Sequence, residues 1–414
     1  MAVKDLAHLR QTVDRAVQDV RVTDLHTHLF EPPFGKLLLW GVDELITYHY
    51  LIAETMRWTD MPYDAFYAMS KEQQADLIWQ KLFIENTPYS EACRGVLTAL
   101  SRLGFDLSHR TLTEAREYFR SVKVEDYIDR VFQLAGLESV VMTNDPFDPD
   151  EAPVWLKGYE GDKRFHAALR IDPLLNGWAT SYKVLKEQGY AVDGSLSDGD
   201  LREIRRFLTD WIKRMKPLYM AVSLPTNFML PEQSPRGRII EECIIPVSRE
   251  LNIPFAMMIG VKRGVNPALR LAGDAGGLSS TLPVEYLCAK YPDNKFLCTM
   301  LARENQHELV VLARKFRNLM VFGCWWFMNN PSIIEEITRM RFELLGASVI
   351  PQHSDARILD QVIYKWSHSR KIIGDVLLDK YAVVLATGWR LEESEIQRDV
   401  AKLFGGNFWN FLGR

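Results

Sequence analysis

Short runs of apolar and β-branched residues recur along the chain, each ending in polar positions: Val22–Leu29, Ser139–Thr143, Phe165–Arg170, Tyr219–Ser223, Phe255–Gly260, Phe296–Met300, Leu319–Gly323 and Ser348–Gln352. Most are apolar on both faces, as strands of a parallel sheet covered by helices should be. Between several of them apolar residues return at helical spacing, most clearly over Leu201–Met215, Arg238–Leu251, Glu304–Phe316 and Ser332–Leu345. Alternating β and α units imply parallel strands joined by right-handed crossovers. Eight such units predict an α/β fold, a (β/α)8 barrel of the TIM type.

One interval is too long for a single crossover. Residues 30–138 carry several helical patterns, among them "LLWGVDELITYHYLIAETMRW" and "SKEQQADLIWQKLFI". The second opens with Ser70 and has Gln73 three residues on, a capping box. The expected organisation is one barrel domain over 1–414, with 30–138 as a helical insertion capping the C-terminal mouth, where the βα loops lie. A separate helical domain is the alternative.

Composition narrows the function classes. The 414 residues are 47% hydrophobic and carry a formal net charge of −4, with Lys and Arg spread evenly. That argues against nucleic acid as a partner, which calls for a basic patch, and against a polybasic membrane surface. No apolar stretch approaches the roughly 18 residues of a membrane span. The five Cys (93, 243, 288, 298, 324) have no CxxC spacing and read as buried thiols of a cytoplasmic protein. The N-terminal segment is charged and helix-periodic, without a signal-peptide apolar core.

The polar residues at the strand ends carry the chemistry. In a barrel of this type they converge on one mouth. "TDLHTHL" ends the first strand with His26 and His28. Residues two apart on a strand face the same way, and paired imidazoles suit Zn²⁺. Asp355, in "PQHSDAR" after the eighth run, is the natural third ligand. A carboxylate on a metal can also accept a proton from a bound hydroxyl or water. Arg170 and Arg357 offer planar forks for a carboxylate, which suggests an anionic substrate; an Arg170–Asp172 ion pair is the plainer alternative. No further His ends the fifth or sixth run, so one metal is the economical count.

"TDLHTHLF", "WGVDELITYHYL", "CWWFMNNP" and "SDAR" together resemble the uronate isomerases, a branch of the amidohydrolase superfamily, over essentially the whole chain. The resemblance is closest to a short, divergent bacterial group. It implies an aldose–ketose isomerase that interconverts D-glucuronate with D-fructuronate and D-galacturonate with D-tagaturonate. It implies one zinc on His26, His28 and Asp355, Tyr50 as an acid/base group, and Arg170 and Arg357 as substrate contacts. His49, Trp325 and Trp326 would line the pocket. The chain departs from ordinary members in its length, in the continuation "DARILDQVIYKW", and in lacking an evident His beyond the fifth strand. The expected reaction moves a proton between C2 and C1 through an enediol. Asp355 would do the hydroxyl proton work, and Tyr50, or a hydroxide held by the zinc, would take the C2 proton. The expected partner is a small hexuronate, and aromatic and apolar helices leave room for a homo-oligomer. The rival reading is a mononuclear zinc hydrolase acting on a sugar-acid lactone or ester.

Overall fold

A computed structural model describes residues 1–413. Seven parallel strands form a curled sheet: β1 (Val22–Thr27), β2 (Leu137–Asn144), β3 (Phe165–Arg170), β4 (Met220–Pro225), β5 (Phe255–Lys262), then, after the two-residue β6 (Ala275–Gly276), β7 (Phe296–Met300) and β8 (Leu319–Val321). Their spatial order follows the chain, β1-β2-β3-β4-β5-β7-β8, while β6 pairs antiparallel with the end of β5. Sequential neighbours joined through helices are what short crossovers produce.

Alternation along the strands sorts the core. On β5, Phe255, Met257 and Ile259 pack outward under the helices, while Ala256 and Met258 join an inner cluster with Leu25, Ala168, Ala221 and Leu297. Small inward residues let the sheet curl tightly. Phe408 and Leu412, from the C-terminal helix Asn407–Leu412, belong to the same inner cluster.

The helical expectations hold within a few residues. Leu201–Met215 lies inside a helix running Asp198–Met215, capped by Ser197, and Ser332–Leu345 lies inside Pro331–Leu345, capped by Asn330. Glu304–Phe316 is shorter than expected, with a 3-10 turn at Arg303–Asn305 and an α-helix at Gln306–Ala313. Arg238–Leu251 is interrupted by a π-helical turn at Ile240–Ile244. The Ser70–Gln73 capping box is formed in both directions. Between β1 and β2 the chain is helical, including His49–Thr55, Lys71–Trp79 and Glu91–Leu103.

The eighth expected strand, Ser348–Gln352, is not a strand. A single parallel bridge pairs Ile350 with Phe322. Pro351 has no N–H to continue a ladder, and the chain then swings toward β1, where Asp355 N–H donates to His26 O (3.1 Å) and His28 N–H to Ala356 O (2.7 Å).

Candidate metal centre

His26 and His28 stand at the C-terminal end of β1. Between Asp24 and Thr27, β1 takes three steps where β2 takes two, since Asp24 pairs with Val140 and Thr27 with Met142. Such a bulge re-aims side chains beside functional sites. Leu25 packs in the inner cluster, and His26 still reaches the mouth above it. The two imidazoles meet edge to face, with centroids 5.4 Å apart. Asp355 Oδ1 lies 3.7 Å from His26 Nε2 and 3.4 Å from His28 Nε2. Burial pushes His26 down to about 3 and His28 well below its ordinary value. Both rings are therefore neutral at physiological pH, the form that ligates metals.

Asp355 adopts φ 51° and Trp326 φ 48°, left-handed conformations that cost a non-glycine residue free energy. Both residues line the cavity at the strand ends, together with His49, Thr143, Arg170, Asp172, Ser223, Trp325 and Arg357. Arg170 lines the cavity and donates to Asp172 Oδ1 at 3.1 Å. Burial alone would lower its pKa, but Asp172, Asp145 and Glu151 hold the guanidinium firmly charged. Arg357 forms no ion pair among the described residues. His49 opens its helix, and its buried Nε2 has no hydrogen-bond partner among the described residues.

Tyr50 does not line this cavity. Its ring stacks on Phe327 (5.8 Å, 20° between planes) and meets His49 edge-on. Burial pushes its phenol well above the ordinary range, and Tyr48 and Asp355 add to that, so it is a poor proton acceptor. The helical turn that begins at His49 directs the neighbouring side chains differently, and it is His49 that faces the mouth. Sequence reasoning missed Arg263, which lines the cavity at the end of β5, pairs with Asp274 at 2.5 Å and lies 5.8 Å from the Trp326 ring centroid. Its only signal was its place just beyond the fifth apolar run. Sequence reasoning also passed over Thr143 and Tyr219, both in contact with His26. Arg303, just beyond β7, pairs with Glu336 and does not line the cavity.

No protein-family model matches the chain, and no curated protein does. Solved structures do. A uronate isomerase from Bacillus halodurans C-125 is 60% identical, with a TM-score of 0.98 over 100% of this chain and 98% of its own. The chain belongs to the uronate isomerase family. A uronate isomerase from Thermotoga maritima (16% identity, TM-score 0.79, covering 98% and 97% of the two chains) shares the fold. So does a putative metal-dependent hydrolase from Lactobacillus casei ATCC 334 (12%, 0.56, covering 97% and 97%).

In this uronate isomerase-family chain the ligand set fits a metal ion. The His26, His28 and Asp355 ligand atoms lie within 4.8 Å of one another. Tetrahedral zinc with nitrogen and oxygen ligands places those atoms about 3.3–3.5 Å apart, close to the 3.4 and 3.7 Å observed. Asp355 Oδ1 is buried with no hydrogen-bond donor among the described residues. A buried carboxylate oxygen without a donor is costly, and a cation between it and two neutral imidazoles removes that cost. No described helix is long and apolar enough to cross a membrane.

Proposed function

We propose that the chain is an aldose–ketose isomerase that interconverts D-glucuronate with D-fructuronate, and D-galacturonate with D-tagaturonate. The observation that carries the reading is Arg357, a cation with no ion-pair partner among the described residues, beside a three-ligand cluster. An anionic sugar supplies the missing charge. His26, His28 and Asp355 would hold one zinc, which when bound polarises a substrate oxygen and lowers the pKa of the group it holds. Arg357 and Arg170 fork onto the substrate's anionic oxygens. Trp325 and Trp326 wall the cavity and exclude water. Asp355 carries the hydroxyl proton between O2 and O1. His49, neutral and facing the cavity, takes the C2 proton and returns it to C1, in place of Tyr50. The scaffold is a barrel of the TIM type whose eighth position is taken by the irregular segment 349–357, a single domain with residues 30–138 as a helical insertion over its mouth. The protein works in the cytoplasm as a homo-oligomer on small hexuronates, without nucleic-acid or membrane partners.

The test is product identity. Incubation with D-glucuronate should give a ketose of unchanged mass, and in deuterated water the product should carry deuterium at the migrating position. Addition of water to a lactone or ester, with no ketose formed, would establish the hydrolase instead. His49→Gln should lower turnover by roughly 10²–10⁴-fold, the usual contribution of a general base, while Tyr50→Phe should stay within a few-fold of wild type. The reverse pattern returns the base to Tyr50.

A further inference from the structure

We propose that Tyr219 and Thr143 are positioning residues that hold His26 in its Nδ1–H tautomer, leaving the Nε2 lone pair permanently aimed at the metal position. The inference rests on the metal reading of the site for its purpose, though not for its geometry.

The Tyr219 hydroxyl lies 2.6 Å from Leu25 O and 3.1 Å from His26 Nδ1. A carbonyl oxygen only accepts, so the single phenolic hydrogen points at Leu25. The phenolic oxygen is then an acceptor toward the imidazole, and Nδ1 must supply the hydrogen. The Thr143 hydroxyl repeats the pattern: it donates to Thr27 O at 2.8 Å and presents its oxygen 3.4 Å from the same nitrogen. Two hydroxyls with their hydrogens committed elsewhere therefore face Nδ1, and neither can donate to it.

A neutral imidazole has one N–H and one lone pair, and the partner of one nitrogen decides the role of the other. With the proton fixed on Nδ1, Nε2 is bare and faces Asp355 Oδ1 at 3.7 Å. The opposite tautomer would turn an N–H toward the cation. The phenol is a durable acceptor. Tyr219 is fully buried, with Phe322 and Phe408 beside its ring at centroid distances of 6.4 and 6.2 Å. Burial also pushes its pKa far above the physiological range, so its hydroxyl hydrogen stays on the phenol and is donated to Leu25 O. Tyr219 lies just before β4 and Thr143 near the end of β2, so separate strands agree on one tautomer.

Long-range ¹H–¹⁵N correlation spectra of the metal-free wild-type protein read the tautomer directly. Nδ1–H at His26 is expected, and Nε2–H overturns the proposal. Zn²⁺ affinity, measured by chelator competition, should be weaker by roughly 10- to 100-fold in Tyr219→Phe, the usual effect of removing the group that orients a metal-bound histidine. That variant keeps the ring between Phe322 and Phe408, so its fold is checked by thermal unfolding. Thr143→Val, which removes the more distant acceptor, should weaken binding less. Affinities unchanged within two-fold in both variants overturn the positioning role. Should Tyr219→Phe fail to fold, the wild-type spectrum and Thr143→Val decide. Wild-type protein that binds no Zn²⁺ defeats the metal reading alone, and the spectrum then settles the tautomer on its own.

Discussion

The end of β1 and the segment 349–357 both deliver metal-ligand candidates to the same point, by different means. On β1 the ligands are two residues apart on an extended chain, and spacing with one bulge brings both rings to the mouth. Between Val349 and Arg357 no strand forms, and Asp355 sits in a left-handed conformation. Its place is set from outside. Asp24 Oδ1 accepts the Ser354 N–H at 3.0 Å, while Asp24 Oδ2 accepts Trp366 Nε1 at 2.8 Å. Asn329 Nδ2 donates to the carbonyls of His353 and Ser354 (3.3 and 3.1 Å). Arg341, fully buried, donates to Gly323 O at 2.8 Å and Pro351 O at 3.4 Å. A ligand on a strand inherits its aim from backbone geometry, whereas one on an irregular segment needs buried polar contacts that fix each peptide in turn.

Removing the local pair should have the largest effect. His26→Ala combined with His28→Ala should abolish bound metal and lower turnover by roughly a thousandfold or more, because several kcal/mol of charge stabilisation disappears. Elemental analysis and the isomerase assay read both, and retained metal would break the assignment.

Strain placed on the other region should register in stability first. Gly323 has φ 66°, and a Cβ there would lie 1.8 Å from His353 Cδ2. Gly323→Ala should cost about 2–4 kcal/mol through strain and overpacking, measured by urea unfolding. Unchanged stability would mean that the 349–357 segment yields easily and is not held as described.

Asp24→Asn should act on β1 and on the 349–357 segment together. Both carboxylate oxygens accept N–H groups, and an amide can accept only one while its NH₂ opposes the other. The expected cost is about 1–3 kcal/mol, accompanied by weaker Zn²⁺ binding because Ser354 adjoins Asp355. A stability loss with unchanged metal affinity would separate the two.

The smallest effect is on pH dependence. Burial holds His26 at about 3 and His28 well below the ordinary 6.5. Below about pH 6.5 the unfolded chain takes up protons that the native rings refuse, so stability is full above that value and lost as pH falls. Metal-free His26→Ala/His28→Ala should therefore show a shallower decline in unfolding free energy between pH 6.5 and 4. Parallel slopes would mean that other buried groups govern acid unfolding.

By itself the sequence determined the strands whose apolar runs are long and buried, β3 and β7 to the residue, and the His26–His28 pair, because strand periodicity and two-residue spacing are local properties. It also placed Arg170 at a strand end, and Asp355 and Arg357 just beyond the eighth apolar run, on the side of the mouth, since chain order in a β/α alternation dictates which end faces it. The rest arose from packing between residues far apart in sequence. Pro351 and the left-handed Asp355 replaced the eighth strand with a single bridge. The first turn of the His49 helix sent His49 to the cavity and Tyr50 onto Phe327. Arg263 reached the site from the end of β5, and Tyr219, 193 residues from His26, came to face its Nδ1. Periodicity records which face of an element is apolar, but a polar side chain in contact with a buried imidazole leaves no pattern along the chain. Its role exists only where two strands meet.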